Sequence, residues 1–390
     1  MELSTFLKYR KGKSVRTQNL SENNLLPILT PEYLRNNSEA EFTSPNGNVV
    51  VDDNEIILLW DGSNAGEFFW SKKGVLASTM VVLDFNRERF NLDYLYYSFK
   101  HFEPFLKTQT RGSGIPHVDK EVLLRHSIHE LDKTEQAKIA EVLAAIDRAI
   151  AQTEALIAKH QRIKTGLMQD LLTRGIDEHG QLRDPSTHRF KSTPLGMIPE
   201  EWEVSPLGNN IKLHNNLRKP ISSLVREGMK GSYPYYGATG IVDYINEYRV
   251  DGKFVLIGED GDHFLKFRKQ EMTILVEGKF NVSNHAHIIE GTSKCLTEWI
   301  FHFFAHRDLT FFLTRQGAGR FKLNKKTLLL LPIALPDPEE QSRICDVLFK
   351  AQANIEEHKR NLRKLHSLKT GLMQDLLSGR VSVKGLVEVS

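Results

Sequence analysis

The sequence has few cysteines and no long apolar run, and both absences narrow the classes of protein to which it can belong. Only two cysteines, Cys295 and Cys345, occur among 390 residues, too few for a disulfide framework or a cysteine-rich metal site. No stretch approaches the roughly 18 consecutive apolar residues of a membrane span. The N-terminus, where acidic Glu2 precedes a basic segment, is not typical of a secretory signal. We therefore expect a globular, cytoplasmic protein that does not associate with membranes.

Motifs for methyl transfer, nucleotide binding and nuclease chemistry are also missing. An adenine methyltransferase needs an acidic or amide residue before Pro-Pro-aromatic to hold a flipped base, and a glycine-rich strand-turn-helix for its cofactor; neither is present. The chain has no Gly-x-x-x-x-Gly-Lys-Ser/Thr phosphate loop and no recognisable paired-carboxylate nuclease motif. We expect a non-catalytic protein with no metal or cofactor of its own.

Charge is distributed unevenly along the chain. The formal net charge of +3 permits a nucleic-acid partner without requiring one. Residues 206–335 hold 18 Lys and Arg against 12 Asp and Glu, whereas residues 1–131 hold 15 against 17. Residues 8–16 nevertheless contain five basic side chains, and two interpretations of them stay open: a local positive patch or a solvated arm.

The chain contains an internal duplication. The string KTGLMQDLL occurs at residues 164–172 and again at 369–377, an offset of 205. At that offset, residues 93–175 align without a gap to residues 298–380 and share 25 identities in 83 positions. The two halves of the chain are therefore expected to share one architecture.

The most similar segments, residues 132–174 and 337–380, are predicted to be long helices. Asp132 with Glu135, and Asp337 with Glu340, have the spacing of capping boxes, and Pro338 has the favoured first helical position. About 40 residues give each helix a length of about 60 Å, so each needs a partner, and the two duplicates are expected to pair. From the residues alone, parallel and antiparallel pairing both stay open.

Apolar positions in both helices follow a 3.5-residue repeat. The predicted pairing residues are Ile139, Leu143, Ile146, Ile150, Ile157, Leu167 and Leu171 in the first helix, and Ile344, Leu348, Ile355, Leu362, Leu365, Leu372 and Leu376 in the second. Polar residues on the same faces, His160 and His358 among them, are expected to fix register rather than to bind a ligand.

Residues 1–131 and 206–336 are predicted to be two globular domains of one mixed fold, and residues 175–205 a linker rich in glycine, proline and polar residues. Strands are predicted at 49–51, 56–60, 75–83, 253–257 and 286–289, and helices at 94–102 and 299–304. Asp61-Gly62 and Asp260-Gly261 are turn signals after strands. The predicted fold class is α+β, with two globular domains alternating with two long helices in a pseudo-two-fold repeat.

Reading DNA requires side chains that donate to base edges and cations that neutralise phosphates. The candidates lie in predicted loops: Lys8, Arg10, Lys11, Arg16, Lys72, Lys73 and Arg111 in the first domain, and Arg218, Lys219, Tyr235, Tyr236, Lys266, Arg268, Arg315, Arg320 and Lys322 in the second. The Gly-x-Gly pairs at 112 and 317 could let a backbone approach phosphate or could form tight turns. Because the domains differ at nearly every candidate, we expect an asymmetric target with two different half-sites.

Three segments resemble the specificity subunits, called HsdS, of type I restriction-modification systems: KTGLMQDLL, PEEQ at 338–341 and PLGMIPEEWEV at 194–204. The resemblance covers nearly the whole chain and implies two target recognition domains and two helices that pair as an antiparallel coiled coil. The implied partners are double-stranded DNA, two adenine methyltransferase subunits held by the helices and domain flanks, and nuclease-translocase subunits. S-adenosylmethionine and ATP would be bound by those partner subunits. The first half has no counterpart of IPEEWEV, which leaves the anchoring of the first domain open.

Two other classes of protein remain as alternatives. A scaffold whose coiled coil binds only other proteins is disfavoured by the basic loops and the duplicated domains. A fused restriction and methylation enzyme is disfavoured by the missing methyltransferase motifs. If the chain is a specificity subunit that reads two half-sites of DNA, the length of the helices sets the number of unread base pairs between the half-sites.

Overall fold

The structure is a computed structural model that describes residues 1–18, 24–112, 114–316 and 320–387, without the side chains of Gln316, Arg320 and Val387. It divides into two compact units: unit 1 comprises residues 1–155 and 359–390, and unit 2 comprises residues 156–358. Within the described residues, no helix is long and apolar enough to cross a membrane.

The helices of the described chain are α1 (Pro31–Leu34), α2 (Leu92–Thr108), α3 (Lys120–Arg125), α4 (Lys133–Leu171), α5 (Ser223–Glu227), α6 (Thr297–Phe304), α7 (Lys325–Leu330), α8 (Pro338–Leu377) and α9 (Lys384–Val387). The strands of unit 1 are β1 (Lys8–Lys11), β2 (Leu26–Leu29), β3 (Phe42–Thr43), β4 (Val50–Val51), β5 (Ile56–Leu59), β6 (Phe68–Trp70), β7 (Gly74–Leu76) and β8 (Met80–Asp84). Those of unit 2 are β9 (Phe190–Thr193), β10 (Gly196–Pro199), β11 (Glu203–Pro206), β12 (Lys212–Leu213), β13 (Lys230–Tyr236), β14 (Ile241–Ile245), β15 (Val250–Gly258), β16 (Thr273–Val282), β17 (Ala286–Glu290), β18 (Thr314–Gln316), β19 (Arg320–Lys322) and β20 (Pro332–Leu335).

The two long helices, α4 and α8, begin where the duplicated caps predict. Asp132 Oδ1 accepts a hydrogen bond from the backbone N–H of Glu135 at 2.8 Å, and Asp337 Oδ1 accepts one from Glu340 at 2.9 Å. These bonds satisfy donors that the first helical turn leaves free. The reciprocal half of the predicted box is not formed at Glu340, because its carboxylate binds other groups that are described below.

The two long helices pair in an antiparallel manner in each unit. In unit 1 the N-terminal part of α4 packs against the C-terminal part of α8, and Asp147 forms a 2.6 Å ion pair with Lys369. In unit 2 the C-terminal part of α4 packs against the N-terminal part of α8, where Lys164 donates to Gln352 at 2.8 Å. The antiparallel coiled coil implied by the family resemblance is confirmed. The rings of His160 and His358 lie 5.0 Å apart in this pairing.

The strands of the two units follow one order. Unit 2 has a six-stranded sheet in the order β12-β17-β15-β16-β13-β14, in which only β13 and β16 run parallel. Unit 1 has two four-stranded sheets, β1-β8-β5-β6 and β3-β2-β7-β4, in which β2 and β7 run parallel. In unit 1, β4 and β5 together correspond to β15, and β6 and β7 together correspond to β16. With these pairs joined, the strand order of unit 1 becomes β1-β8-(β4,β5)-(β6,β7)-β2-β3, which matches the order of unit 2. The prediction of one shared fold is therefore confirmed in its strand order.

Short interruptions split the two central strands of unit 1. Residues 52–55 separate β4 from β5, and Asn54 there has a positive φ of 61°. Residues 71–73 separate β6 from β7, so the candidates Lys72 and Lys73 lie in this interruption. The single strand predicted at 75–83 is likewise two strands, β7 and β8, that belong to different sheets.

The segment predicted as a linker, residues 175–205, is an ordered part of unit 2. It contains the β9–β10 hairpin, and β11 pairs with β20 from Glu203 to Pro206. Ile198 and Trp202 are buried in the core of unit 2. Composition favours a linker because the segment is rich in glycine, proline and polar residues, but these apolar side chains attach it to the core of unit 2.

A buried ion pair attaches this segment to the start of α8. The Glu340 carboxylate accepts hydrogen bonds from both terminal nitrogens of Arg183, from the backbone of Ile176 and from Nε1 of Trp202. A Cβ at Gly175 would lie 2.2 Å from Oε1 of Glu340, and its φ is +63°, so only glycine fits there. We call Arg183, Trp202 and Glu340 the Glu340 anchor.

Candidate nucleic-acid interface

Two loops meet beyond the end of β5 in unit 1 and form what we call loop cluster 1. The turn that contains Asp61 and Gly62 follows β5, and it contacts the glycine-bearing loop before α3. Gly62 N–H donates to the carbonyl of Pro116 at 2.9 Å, and Val118 N–H donates to that of Trp60 at 2.9 Å. The predicted turn signal is therefore the point where the two loops join.

Unit 2 repeats this arrangement in loop cluster 2, which joins the turn after β15 to the β18–β19 hairpin. Gly261 N–H donates to the carbonyl of Phe321 at 3.1 Å, and Leu323 N–H donates to that of Glu259 at 2.7 Å. Phe321 and Leu323 each lie 205 residues after their counterparts in unit 1. Gly317 and Gly319, which lie between β18 and β19 in the sequence, are outside the described residues. The duplication therefore extends from the helices to one loop cluster in each unit.

Most of the predicted cations in loop cluster 1 are paired with acids. Lys11 donates to Asp61 at 2.7 Å, and Arg111 forms an ion pair with Asp119. Such pairs reduce the charge that is free to meet phosphate, although both basic side chains are partly exposed. The tight Arg111 to His117 backbone pairing favours a turn role for Gly112.

The other predicted cations of unit 1 do not join this cluster. Arg10 forms a bidentate pair with Asp84, and that hydrogen bond raises the pKa of its guanidinium. Lys72 donates to Asn36, and the backbone of Lys73 donates to Asp53 near the start of β5, at the opposite end of that strand from Asp61. Lys8 and Arg16 are exposed, and no ion pair involves them within the described residues.

Loop cluster 2 is organised around the carboxylate of Glu259. Arg218 donates to it at 2.5 Å, Lys322 lies 3.4 Å away, and the buried His287 lies 3.9 Å away. Burial alone would raise the pKa of Glu259, but the hydrogen bond from Arg218 and the neighbouring positive charges outweigh it and lower that pKa. Arg218 also donates to the carbonyl of Asn284, so its main role here is to join loops.

Tyr235 is a correction to the predicted site. Its side chain is 1% exposed, and its hydroxyl donates to the carbonyl of Lys219 and accepts from the N–H of Ile221. A buried tyrosine whose hydroxyl already has two backbone partners contributes to the core, and it does not present that hydroxyl to a base edge in this structure. Tyr236 is half-buried against Phe280, and Lys219 forms an ion pair with Glu247.

Lys266, Arg268 and Arg315 are exposed, and no carboxylate forms an ion pair with them within the described residues. Arg315 lies on β18 with its guanidinium 5.2 Å from the ring centre of Phe321. Lys266 and Arg268 follow the turn of loop cluster 2 in the chain. The side chain of Arg320 lies outside what the structure describes. Arg315 is therefore the best placed cation of loop cluster 2.

A cleft beside loop cluster 2 contains residues that the sequence did not single out. It has a volume of about 670 Å³ and is lined by Ser222, Asn284 and His285 together with Asp260 and Gly261. His285 Nδ1 lies 2.9 Å from Asp260 Oδ1. Hydroxyl, amide and imidazole groups can donate to and accept from base edges. Asn284 and His285 directly precede the strand predicted at 286–289, and polar side chains at the end of a strand are the sequence signal that points to them.

The predicted pairing residues all lie on shielded faces of α4 and α8, and none of them is exposed. Several pack into the globular units as well. Ile139 and Leu143 belong to the core of unit 1, while Leu171, Ile344 and Leu348 belong to that of unit 2. The helix ends therefore belong to the domains as much as to the coiled coil.

No group of three or more His, Cys, Asp or Glu residues suited to a metal ion occurs in the part of the chain that the structure describes. Two units share one strand order, and each has a loop cluster that carries cations and polar side chains. These features define a class: an internally duplicated protein with two related loop clusters and two long helices.

Comparison with known proteins assigns that class to a family. The type I restriction modification DNA specificity domain matches residues 1–160 and 199–366. The type I restriction enzyme MjaVIII specificity subunit of Methanocaldococcus jannaschii is 30% identical over 99% of this chain and 93% of its own length. The chain belongs to the type I restriction-modification DNA specificity family.

Solved structures share the fold. The S subunit of a type I restriction-modification system from M. genitalium has a TM-score of 0.60 at 15% identity, over 97% of this chain and 95% of that chain. A chain from a type I restriction-modification system studied for its complex assembly and conformational transition has a TM-score of 0.53 at 13% identity, over 97% of this chain and 99% of that chain.

Proposed function

We propose that this chain is the non-catalytic DNA-reading subunit of a type I restriction-modification complex. Each unit reads one half of an asymmetric bipartite target through its loop cluster. The paired helices hold the two readers and set the spacer between the half-sites. Membership of the DNA specificity family supports the role in recognition, and the duplicated loop cluster is the observation that carries the division into two half-sites.

Different side chains on a shared framework support an asymmetric target. Around the equivalent post-strand turns, loop cluster 1 has Lys11 of β1 and Arg111, whereas loop cluster 2 has Arg315 of β18 and Lys322 of β19. The polar cleft lies beside loop cluster 2. The hydrogen bonds that join the loops are the same in both units. Since the framework is shared and the presented groups differ, the two units would read different bases.

The helices also support the proposal that two copies of one partner, the methyltransferase subunit, are held by this chain. In both copies of KTGLMQDLL, Thr165 and Gln169 and their counterparts Thr370 and Gln374 are exposed although identical. Packing within the chain does not explain these identities, because exposed side chains are under no packing constraint. One partner surface used twice would explain them.

The glycines of the duplicated string KTGLMQDLL also support a partner surface that is used twice. A Cβ at Gly166 or at Gly371 would meet nothing within 4 Å, so the chain itself does not need glycine there. A mid-helix glycine costs about 0.5–1 kcal/mol relative to alanine. Its presence in both helices is accounted for by close approach of a partner backbone. S-adenosylmethionine would then be bound by the methyltransferase subunits, and ATP by nuclease-translocase subunits.

DNA binding by the complex of this chain with its methyltransferase partner tests the reading role. Affinity for a duplex that carries the target should fall steeply with salt, because contacts to phosphates release counterions. Arg315→Ala should reduce the affinity and relax the preference at one half-site only. Arg125→Ala, an exposed arginine on α3 outside the loop cluster, is the matched control. Affinity that does not depend on salt or on the DNA sequence would support the protein scaffold instead.

Insertion of seven residues into α4 and seven into α8 tests the spacer role. Two added turns lengthen each helix by about 10 Å, which corresponds to about three base pairs of duplex. The spacer of the methylated target should lengthen by that amount while both half-sites stay unchanged. A change in the bases that are read would contradict this role.

A further inference from the structure

A pocket in unit 2 lies between the C-terminal part of α4 and helix α6. It has a volume of about 490 Å³, and its buried lining includes the apolar side chains of Met168, Leu172 and Phe303. Its exposed lining includes Thr165 and Gln169 of the duplicated string KTGLMQDLL. The pocket therefore opens on the surface that is proposed above to hold the methyltransferase subunit.

The ionisable side chains that line this pocket are all basic: Arg268, His302, His306 and Arg307. No Asp or Glu is among the described residues of the lining. Glu271, which is not part of the lining, lies 3.9 Å from Nε2 of His306 and pairs more closely with Lys164, at 3.0 Å. The lining therefore does not balance the positive charge of the two arginines.

Arg307 is held against the wall of the pocket but has no counter-charge. Its guanidinium carbon lies 3.9 Å from the ring centre of Phe303, and its Nε donates to the carbonyl of Phe303 at 3.3 Å. Within residues 1–18, 24–112, 114–316 and 320–387, no carboxylate pairs with it and neither of its terminal nitrogens makes a hydrogen bond. Burial lowers the pKa of Arg307 to about 10, because a guanidinium that loses hydration without an acid beside it is costly.

His302 is a second group in the same lining that lacks a partner. It is 3% exposed, and its Nε2 has no hydrogen-bond partner among the described residues. Burial lowers the pKa of His302 to about 3, so its ring is neutral and has one donor and one acceptor nitrogen. Buried polar atoms are normally hydrogen-bonded, so the free Nε2 indicates a group that is supplied from outside the unit.

Unit 1 has different side chains at the equivalent positions. Phe102 corresponds to Arg307 at the offset of 205, and it is 4% exposed in the core of unit 1. Tyr97 corresponds to His302, and its hydroxyl donates to Asp147 at 2.9 Å. The shared framework thus accommodates an apolar ring and a satisfied hydroxyl at these two positions. Packing therefore does not explain the unpaired guanidinium and imidazole of unit 2.

We infer that this pocket binds an aspartate or glutamate side chain, together with a neighbouring apolar residue, of the methyltransferase subunit. The inference rests on the proposed function, because that subunit is the occupant. The carboxylate pairs with Arg307 and with the exposed Arg268, Nε2 of His302 supplies a further hydrogen bond, and the apolar residue packs on the buried lining. Charge complementarity favours an acid, and the position of Thr165 and Gln169 on the exposed lining favours this partner.

Titration calorimetry of the methyltransferase subunit with the full chain tests the inference. Two binding sites per chain are expected. Arg307→Leu should weaken one of them by roughly tenfold or more, since a buried charge loses its partner, and should leave the other unchanged because unit 1 has Phe102 there. Arg307→Lys keeps the charge and should lose less affinity than Arg307→Leu. Arg249→Leu, an exposed arginine before β15, is the matched control and should bind like the wild-type chain.

Thermal unfolding of the isolated chain separates docking from a packing role. Arg307→Leu should not lower Tm, because the leucine replaces a guanidinium that has no counter-charge, whereas loss of a packing residue would lower it. Arg268→Ala is a second variant at an exposed position, where truncation does not disturb the core. It should weaken the same binding site by about threefold, the scale of an exposed ion pair.

The outcomes distinguish this inference from the proposed function. Binding of the methyltransferase subunit that Arg307→Leu and Arg268→Ala leave unchanged, or a lower Tm for Arg307→Leu, would overturn the inference alone. Absence of any complex with the wild-type chain would overturn the proposed docking and the inference together. The free acid 3-phenylpropionate and its uncharged amide test a small-molecule occupant. Micromolar binding of the acid but not of the amide, lost in Arg307→Leu, would overturn docking of the subunit at this pocket.

Discussion

The Glu340 anchor provides a quantitative test of how unit 2 is held together. In Glu340→Gln the side chain keeps its shape but loses its charge, and one of its two oxygens becomes an NH₂ group that faces donors. Arg183 would then be a buried guanidinium without a counter-charge, and Trp202 Nε1 or Ile176 N–H would lose its acceptor. Removing one partner of a buried ion pair costs about 3–5 kcal/mol.

Differential scanning calorimetry of the isolated chain measures this loss. For a domain of roughly 150–250 residues, the size range of unit 2, each kcal/mol shifts Tm by about 2–4 °C, so the transition of unit 2 should fall by roughly 6–20 °C. Glu135→Gln is the matched control, and it should cost less than about 1 kcal/mol because no cation loses its partner. Equal losses in the two variants, or a shift below about 2 °C for Glu340→Gln, would refute this reasoning.

Three further predictions follow from the helices, the loops and one buried imidazole. Gly166→Ala with Gly371→Ala should stabilise the isolated chain by about 0.5–1 kcal/mol per site and weaken binding of the methyltransferase subunit; titration calorimetry that shows unchanged binding would contradict the docking surface. Arg315→Ala should cost about 1–3 kcal/mol in target affinity, measured by anisotropy, whereas Arg10→Ala should change it little because Asp84 already neutralises that arginine. Burial, with repulsion from His101, lowers the pKa of His126 to about 4, so the folded state favours the neutral imidazole. Unit 1 should therefore lose stability as the pH falls from about 6.5 to 4. The stability of the His126→Gln variant should not show this pH dependence.

The repeat made the helical part of the fold predictable. The caps at Asp132 and Asp337 are local signals, and they lie where the structure begins α4 and α8. No local signal determines whether the two long helices pair in a parallel or an antiparallel manner, because the long connection between them permits both. The antiparallel arrangement is what the family resemblance implies. The strand order of the two units depends on pairings between distant segments, which periodicity does not specify.

The candidate site was harder to predict for a related reason. Arg10 and Lys11 meet their acids across 74 and 50 residues, and Arg218 meets Glu259 across 41. The residues near each cation in the sequence do not indicate these distant acids. A cation that forms an ion pair therefore cannot be distinguished from an unpaired one by sequence alone. The sequence does not reveal that Tyr235 of β13 lies inward, where its hydroxyl donates to one backbone carbonyl and accepts from one backbone N–H.

The most direct test of the central claim is sequence-resolved mapping of methyladenine in a host that makes the methyltransferase partner, with and without this chain. If the two units read two half-sites at a spacing set by the helices, one asymmetric bipartite motif should be methylated only when the chain is present. An identical set of methylated motifs in both cultures, with the chain demonstrably produced, would contradict the account.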